Sequence, residues 1–275
     1  MAEQTLGVCN ENGKKTAVSF LTIDRVKMAS PSEQSVLLDL CHSRVKKYAE
    51  SKHSTDFKVE TNPEFINAAV LVPVFLKEGS LHFLLTLRSQ QVPTHKGHVA
   101  FPGGKEEDDD KDIVATALRE AHEEVGLPPE VVEVIGVLSP VISRARDKAM
   151  YVYPVVGIIK SQFDLVINSS EVETAFDVPL DFFLLNATHR REKITFKSKT
   201  FDVHLFDFER SDDEHRDKSL KFRIWGLTAS ICLRVAIVAL NKLPEYELEE
   251  HYSQLMQYIT ELNTGESDFK SLSRI

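Results

Sequence analysis

The chain has 275 residues, with 33 Lys and Arg against 42 Asp and Glu, and a formal net charge of −9. That acidic balance argues against general binding to nucleic acid or to an anionic membrane surface, although a bound cation could still reverse the local sign for an anionic small substrate. Length and a hydrophobic share of 42% fit one large soluble domain with extensions.

Residues 1–29 show no clear periodicity, and no basic segment followed by an apolar run marks a secretory leader. At Ser30-Pro31-Ser32-Glu33 a helix over about 31–50 should begin, with Ser30 as cap, Pro31 in the first turn and Glu33 closing a capping box. Leu37, Leu40, Cys41 and Tyr48 then recur at helical spacing. From Ala68 the pattern changes. The segments 68–76 and 82–88, joined by Lys77-Glu78-Gly79-Ser80, read as a hairpin. Further strands are expected at 98–101, 131–138, 150–159, 193–196 and 201–208, and helices at 226–242 and 245–262.

The apolar helix from Gly226 to Leu240 is too short to span a bilayer and carries Arg234, so no membrane span is expected. Cys9, Cys41 and Cys232 are far apart and unaccompanied, which favours a reducing compartment over a disulfide framework. Intermixed strands and helices predict an α/β fold, a mixed sheet sandwiched between helices (α/β/α). The expected organisation is an N-terminal extension with one helix (1–62), a main domain (63–263) and an exposed polar tail (264–275).

The segment Gly103–Leu127 crowds nine carboxylates into 25 residues. Its second half, "DIVATALREAHEEV", reads as a helix. At about 100° per residue, Glu120, Glu123 and Glu124 share a sector of roughly 100°. Val114, Leu118, Ala121 and Val125 form a separate apolar stripe, and Gly126 follows as terminator. Three acids at i, i+3 and i+4 repel. Either water screens them on a solvated face, or they hold a hard divalent cation, Mg2+ or Mn2+, which prefers oxygen ligands and keeps places for water and phosphate. The preceding Pro102-Gly103-Gly104 would let backbone carbonyls approach the same ion.

This stretch resembles the Nudix box, G-x5-E-x7-R-E-U-x-E-E-x-G-U with U aliphatic. Gly104 matches the first glycine and "REAHEEVGL" the second half. The middle departs from the pattern. Asp110 stands where the first glutamate is expected, and eight residues rather than seven separate it from Arg119. That leaves open whether the arginine pairs with the early acid. Upstream, "LLTLRSQQVPTHKGHVAFPGGK" is similar to the signature of the family's coenzyme A diphosphatase branch, including the peroxisomal enzymes of animals. Downstream, "SSEVETAFDVPLDFFL" and "FRIWGLTA" resemble further segments of that branch, so the similarity covers roughly residues 66–242.

The resemblance implies the Nudix fold and metal-dependent hydrolysis of the coenzyme A pyrophosphate. The products would be adenosine 3′,5′-bisphosphate and 4′-phosphopantetheine or its acyl form. Metal ligands would be Glu120 and Glu124, with Glu123 and the Gly104 carbonyl as further candidates. Arg119 would orient a carboxylate. The general base would be a box glutamate, Glu171 or Glu173, although Glu171 could equally cap a turn. Arg88, His95 and Lys105 would meet phosphate oxygens; Arg88 could instead form a structural ion pair and His95 pack a loop. The basic run His189, Arg190, Arg191 and Lys193 could reach the 3′-phosphate or be a solvated turn. Asp108 and Asp109 read as exposed loop charges. Ser273-Arg274-Ile275 resembles the Ser-Lys-Leu address read by the peroxisomal import receptor, the alternative location being cytoplasmic. Competing readings are a Nudix hydrolase of ADP-ribose, NADH or dinucleoside polyphosphates, and a silent nucleotide-binding Nudix module.

Overall fold

A computed structural model describes residues 31–55, 64–92, 94–145, 148–196, 199–211 and 219–272. Ser30, Cys9 and the Ser273-Arg274-Ile275 tripeptide lie outside the described residues. The helix α1 (Pro31–Ala49) leads to the hairpin β1 (Ile66–Lys77) and β2 (Ser80–Arg88), then the short β3 (Val99–Ala100) and β4 (Gly103–Lys105). After α2 (Ile113–Val125) come β5 (Val132–Val137), β6 (Val141–Ala145), β7 (Lys148–Ile159) and β8 (Val172–Pro179). The meander β9 (His189–Phe196), β10 (Lys199–Ser211) and β11 (Ser219–Trp225) precedes α3 (Gly226–Leu240) and α4 (Ser253–Leu272).

The main sheet runs β3-β2-β1-β7-β5, with β4 added to β1, β6 to β7 and β8 to β2. It is mixed because β1 and β7 pair parallel while the remaining ladders are antiparallel. The β1–β2 hairpin closes through Glu78 (φ 52°) and Gly79 (φ 81°), the positive φ values that a two-residue hairpin turn with matching twist requires.

Alternation along β1 sends its side chains to two cores. Val72 and Val74 join Phe83, Leu85, Val156 and Ile158 under α1 and α3. Ala69, Leu71 and Phe75 join Leu84, Val155 and Ile159 under α2. Helices therefore cover both faces, as the mixed order of elements predicts. In α1, Cys41, Val45 and Tyr48 are buried in the larger core. The three-stranded sheet β11-β10-β9 contributes Phe206, Phe222 and Ile224 to it, with Phe222 stacked on Phe176 at 3.8 Å between ring centroids. Among the described residues no helix is long and apolar enough to cross a membrane.

Two departures from the sequence reading have clear causes. The helix expected over 245–262 starts as a single turn at Glu250–Tyr252 and continues as α4 to Leu272. The preceding residues serve as a clamp instead. Glu245 N–H donates to the Leu184 carbonyl (2.8 Å), the Tyr246 hydroxyl donates to the Phe183 carbonyl (2.6 Å), and Tyr246 stacks on His189. The sequence reading places no strand at β4, β6, β8 or β11; β4, a glycine pair and a lysine, gains strand geometry from its partner β1.

Candidate active site

The helix α2 is fixed at both ends. Asp112 accepts the Ala115 amide at 2.8 Å, and Gly126, at φ 71°, returns its N–H to the carbonyls of Ala121 and His122. Ala117 and Ala121 are fully buried, and their small size lets the helix lie close to β1 and β4. At the contact, a side chain on Gly103 would meet the backbone of Ala69 and Val70, and one on Gly104 would collide with the Glu120 carboxylate. Glycine here is a requirement of close approach.

That approach grades the acidic face. Glu124 has a side chain only 1% exposed, Glu120 is mostly covered, and Glu123 is 52% exposed. Glu120, Glu124 and Glu171 each offer an oxygen within 4.8 Å of the others. Glu171 comes from the turn before β8, and three backbone bonds set its position. Ser89 N–H donates to its carbonyl at 2.8 Å, while its own N–H donates to Asn168 at 3.0 Å and Asn168 N–H donates to the Glu124 carbonyl at 3.0 Å. Glu123 lies outside this group, with its carboxylate 3.3 Å from Arg119. Glu173, the other candidate base, points outward from β8 as an exposed residue.

The altered spacing at Asp110 does not separate it from Arg119. Arg119 Nε and Nη2 donate to the two Asp110 oxygens at 2.9 and 2.8 Å, a bidentate fork. The same guanidinium reaches the Lys105 carbonyl at 3.2 Å and Glu120 at 3.1 Å, so it ties the acidic loop, β4 and α2 together. Thr116 and the Glu107 amide also donate to Asp110. The Arg119 bond, chiefly, holds the Asp110 carboxyl well below the usual carboxylate range.

Electrostatically the group is short of positive charge. Burial, above all, pushes Glu124 up to about 8; Glu120 and Glu171 push the same way, against the pull of Arg88. Burial also raises Glu120, opposed by Arg119. Arg88 Nη1 stands 3.5 Å from Glu124 Oε1, whereas Glu124 Oε2 is buried with no hydrogen-bond partner. A buried carboxylate oxygen without a donor, beside two further carboxylates, fits a hard divalent cation with oxygen ligands.

Next to the acids lies a cavity of about 340 Å³. Arg88, His95, Lys105 and Gly104 all line it, together with His98, Met150, Val152, Trp225 and Leu227. His95 is exposed on the rim at φ 55°, its ring 5.4 Å from that of His98, which in turn lies 5.3 Å from Trp225. Partial cover of the ring by its surroundings foremost, then the charge of Arg88, lowers the pKa of His95. His98 and Trp225 escaped the sequence reading as wall residues, because only the fold brings the start of α3 against β3, where Thr228 donates to the Val99 carbonyl at 3.0 Å.

The basic run is engaged elsewhere. His189 bonds His204, Arg190 pairs with Asp207, and Arg191 lies 3.0 Å from Glu249, all outside the residues lining this cavity. Asp108 and Asp109 are exposed loop residues.

Comparison with known proteins agrees with this geometry. Residues 66–198 match the NUDIX domain. The chain is 36% identical over 181 residues to the peroxisomal coenzyme A diphosphatase of Mus musculus, covering 66% of this chain and 73% of that one. It is 38% identical over 173 residues to the uncharacterized Nudix hydrolase NudL of Enterobacter, covering 62% of this chain and 81% of that one. It is also 40% identical over 182 residues to the mitochondrial Nudix hydrolase 15 of Arabidopsis thaliana, covering 65% of this chain. The chain spans 60% of that plant relative's length. The family match and these relatives identify the mixed sheet and its acidic helix as a Nudix domain. The chain belongs to the Nudix family.

Proposed function

We propose that the protein hydrolyses the pyrophosphate bond of coenzyme A and its derivatives, including acyl esters, with Mg2+ or Mn2+ held by Glu120, Glu124 and Glu171. The observation that carries the reading is the meeting of these three carboxylates beside a cavity with both cationic and apolar walls. A bound divalent ion would screen the pyrophosphate oxygens and lower the pKa of an attacking water. Arg119 holds the acidic loop and β4 in register with α2 and fixes one oxygen of Glu120. The proton of the attacking water passes to Glu120 or Glu171, the two members of the group less buried than Glu124. Arg88, Lys105 and His95 border the space for the phosphates, and Met150, Val152, Leu227 and Trp225 provide apolar surface for the rest of the substrate.

The coenzyme A branch is supported by the upstream signature and by similarity to the mouse diphosphatase. The Asp110–Arg119 fork, kept despite the altered spacing, supports an active site over a silent module. A peroxisomal location, with Ser273-Arg274-Ile275 engaging the import receptor, is supported by the same relative, while the plant relative is named mitochondrial. The test is turnover of coenzyme A, acetyl-coenzyme A, ADP-ribose and NADH by purified protein with each metal. Coenzyme A species should be cleaved to adenosine 3′,5′-bisphosphate. Cleavage of ADP-ribose with coenzyme A left intact would overturn the branch assignment.

A second expectation concerns protons. Glu124, raised to about 8, holds its proton at neutral pH in the metal-free protein. Because burial penalises the charged form, stability should fall as pH rises from the ordinary 4.5 to about 8 and level off above. A cation must displace that proton. Mn2+ binding at pH 7 should release about one proton, and apparent affinity should rise roughly tenfold per pH unit up to the Glu124 pKa. Calorimetry in buffers of differing ionisation enthalpy measures the release; binding without it would remove Glu124 from the ligand set.

A further inference from the structure

We infer that Asn168 is a positioning residue of the acidic site: it holds the loop-borne Glu171 against the helix-borne Glu120 and Glu124, and so sets how tightly the group binds a divalent cation. The inference rests on the metal-dependent reading above. The last carbonyls of α2 have no partner within the helix. The following loop supplies partners, with Val166 N–H donating to Val125 at 3.1 Å and Asn168 N–H to Glu124 at 3.0 Å. Asn168 is thus anchored to the residue that carries the most buried carboxylate of the site.

From that anchor it organises the turn bearing Glu171. Its carbonyl accepts the amides of Glu171 (3.0 Å) and Val172 (2.9 Å). Its Oδ1 accepts the Ser170 amide at 3.2 Å and the Ser170 hydroxyl at 2.6 Å, and its Nδ2 donates to Glu171 Oε1 at 3.2 Å. A backbone amide can only donate, so the acceptor end of Asn168 faces Ser170 and the donor end faces Glu171. Both ends are used.

This bond opposes a specific force. Oxygens of Glu120 and Glu171 lie within 4.8 Å of each other beside the buried Glu124, and like charges at that distance repel. Glu120 and Glu124 are fixed by the helix, so a loop free to relax would move Glu171 away. Ligands held in place before the ion arrives bind it more tightly, and loss of such an outer partner commonly costs ten- to a hundredfold in metal affinity, on the order of the effect expected here.

The experiment is titration of the full chain with Mn2+ alone, free metal being read by electron paramagnetic resonance. Asn168→Ala should weaken binding about tenfold or more. Asn168→Ser, which keeps a short oxygen acceptor for the Ser170 amide but no amide donor for Glu171, should be similarly weak and guards against a folding failure in the first variant. Ser170→Ala, which leaves the Ser170 amide on Asn168 Oδ1 and the donor on Glu171, should weaken binding less than Asn168→Ala does. In a Glu171→Ala background, Asn168→Ala should have no further effect, because Asn168 acts through that carboxylate. Wild-type affinity in both Asn168 variants, or an equal loss with and without Glu171, would overturn the inference alone. Failure of the wild type to bind Mn2+ would overturn the metal reading together with it.

Discussion

Replacing Glu120 by glutamine is expected to lower turnover of coenzyme A about a thousandfold, the loss of roughly 4 kcal/mol of transition-state stabilisation. The side chain keeps its shape, so the close fit against Gly104 survives, and the melting temperature should move by no more than a few degrees. Arg119 can still donate to the remaining carbonyl oxygen at this site. What disappears is the negative charge, and with it one of the three oxygens that meet at the cleft. Steady-state kinetics with Mn2+, paired with a thermal melt, separate the two effects. Unchanged turnover would remove Glu120 from the mechanism; collapse of the fold would make it structural.

Arg119→Ala should destabilise the domain by about 1.5–3 kcal/mol, the range for hydrogen bonds to a charged group, and also abolish most activity. Asp110, 5% exposed at its side chain, would lose its bidentate partner and keep only Thr116 and one amide. The Lys105 carbonyl and Glu120 would lose their donor at the same time. The sign of the pH effect follows from Asp110. Its folded pKa is depressed below the ordinary 3.8, so its stabilising contribution is present above that value and lost as pH falls through the folded pKa. The stability gap between wild type and Arg119→Ala, measured by urea unfolding, should therefore be full at pH 7 and narrow below about pH 4. Arg119→Lys should recover little, since a point charge cannot reproduce the fork. A gap that is constant with pH would mean that the pair contributes little through charge.

The helix at the centre of the site was legible from residue spacing alone. The apolar stripe, the acidic sector and the Gly126 stop follow from a period of 3.6 residues and one left-handed position. The sharing of roles within that sector was not. Glu123 and Glu124 are adjacent in sequence, yet packing of Ala117 and Ala121 against β1 rotates Glu124 inward and leaves Glu123 beside Arg119. Glu171 could be named as a candidate from its motif, but its meeting with α2 depends on loop bonds from Val166 and Asn168 that no periodicity reveals.

The Asp110 spacing marks the opposite case. Counting residues leaves the pairing with Arg119 open, whereas a turn closed by Asp110 N–H on the Glu107 carbonyl at 3.0 Å and a long, forked side chain bring the two together with both hydrogen bonds made. The segment before α4 was misread because its residues have helical spacing but are committed to distant partners, Leu184 and Phe183 among them. For the basic run near His189 the sequence leaves an anion contact and a solvated turn both open, and its partners Asp207, His204 and Glu249 come from β10 and the clamp segment.

The central claim is that Glu120, Glu124 and Glu171 together hold a divalent cation at the cleft. The most direct test is a crystal grown or soaked with Mn2+ and measured for anomalous scattering. The account predicts a peak bounded by oxygens of these three residues, at about 2.1 Å from each oxygen it contacts. No peak there, or one held by Glu123 or by Asp108 and Asp109 instead, would contradict it.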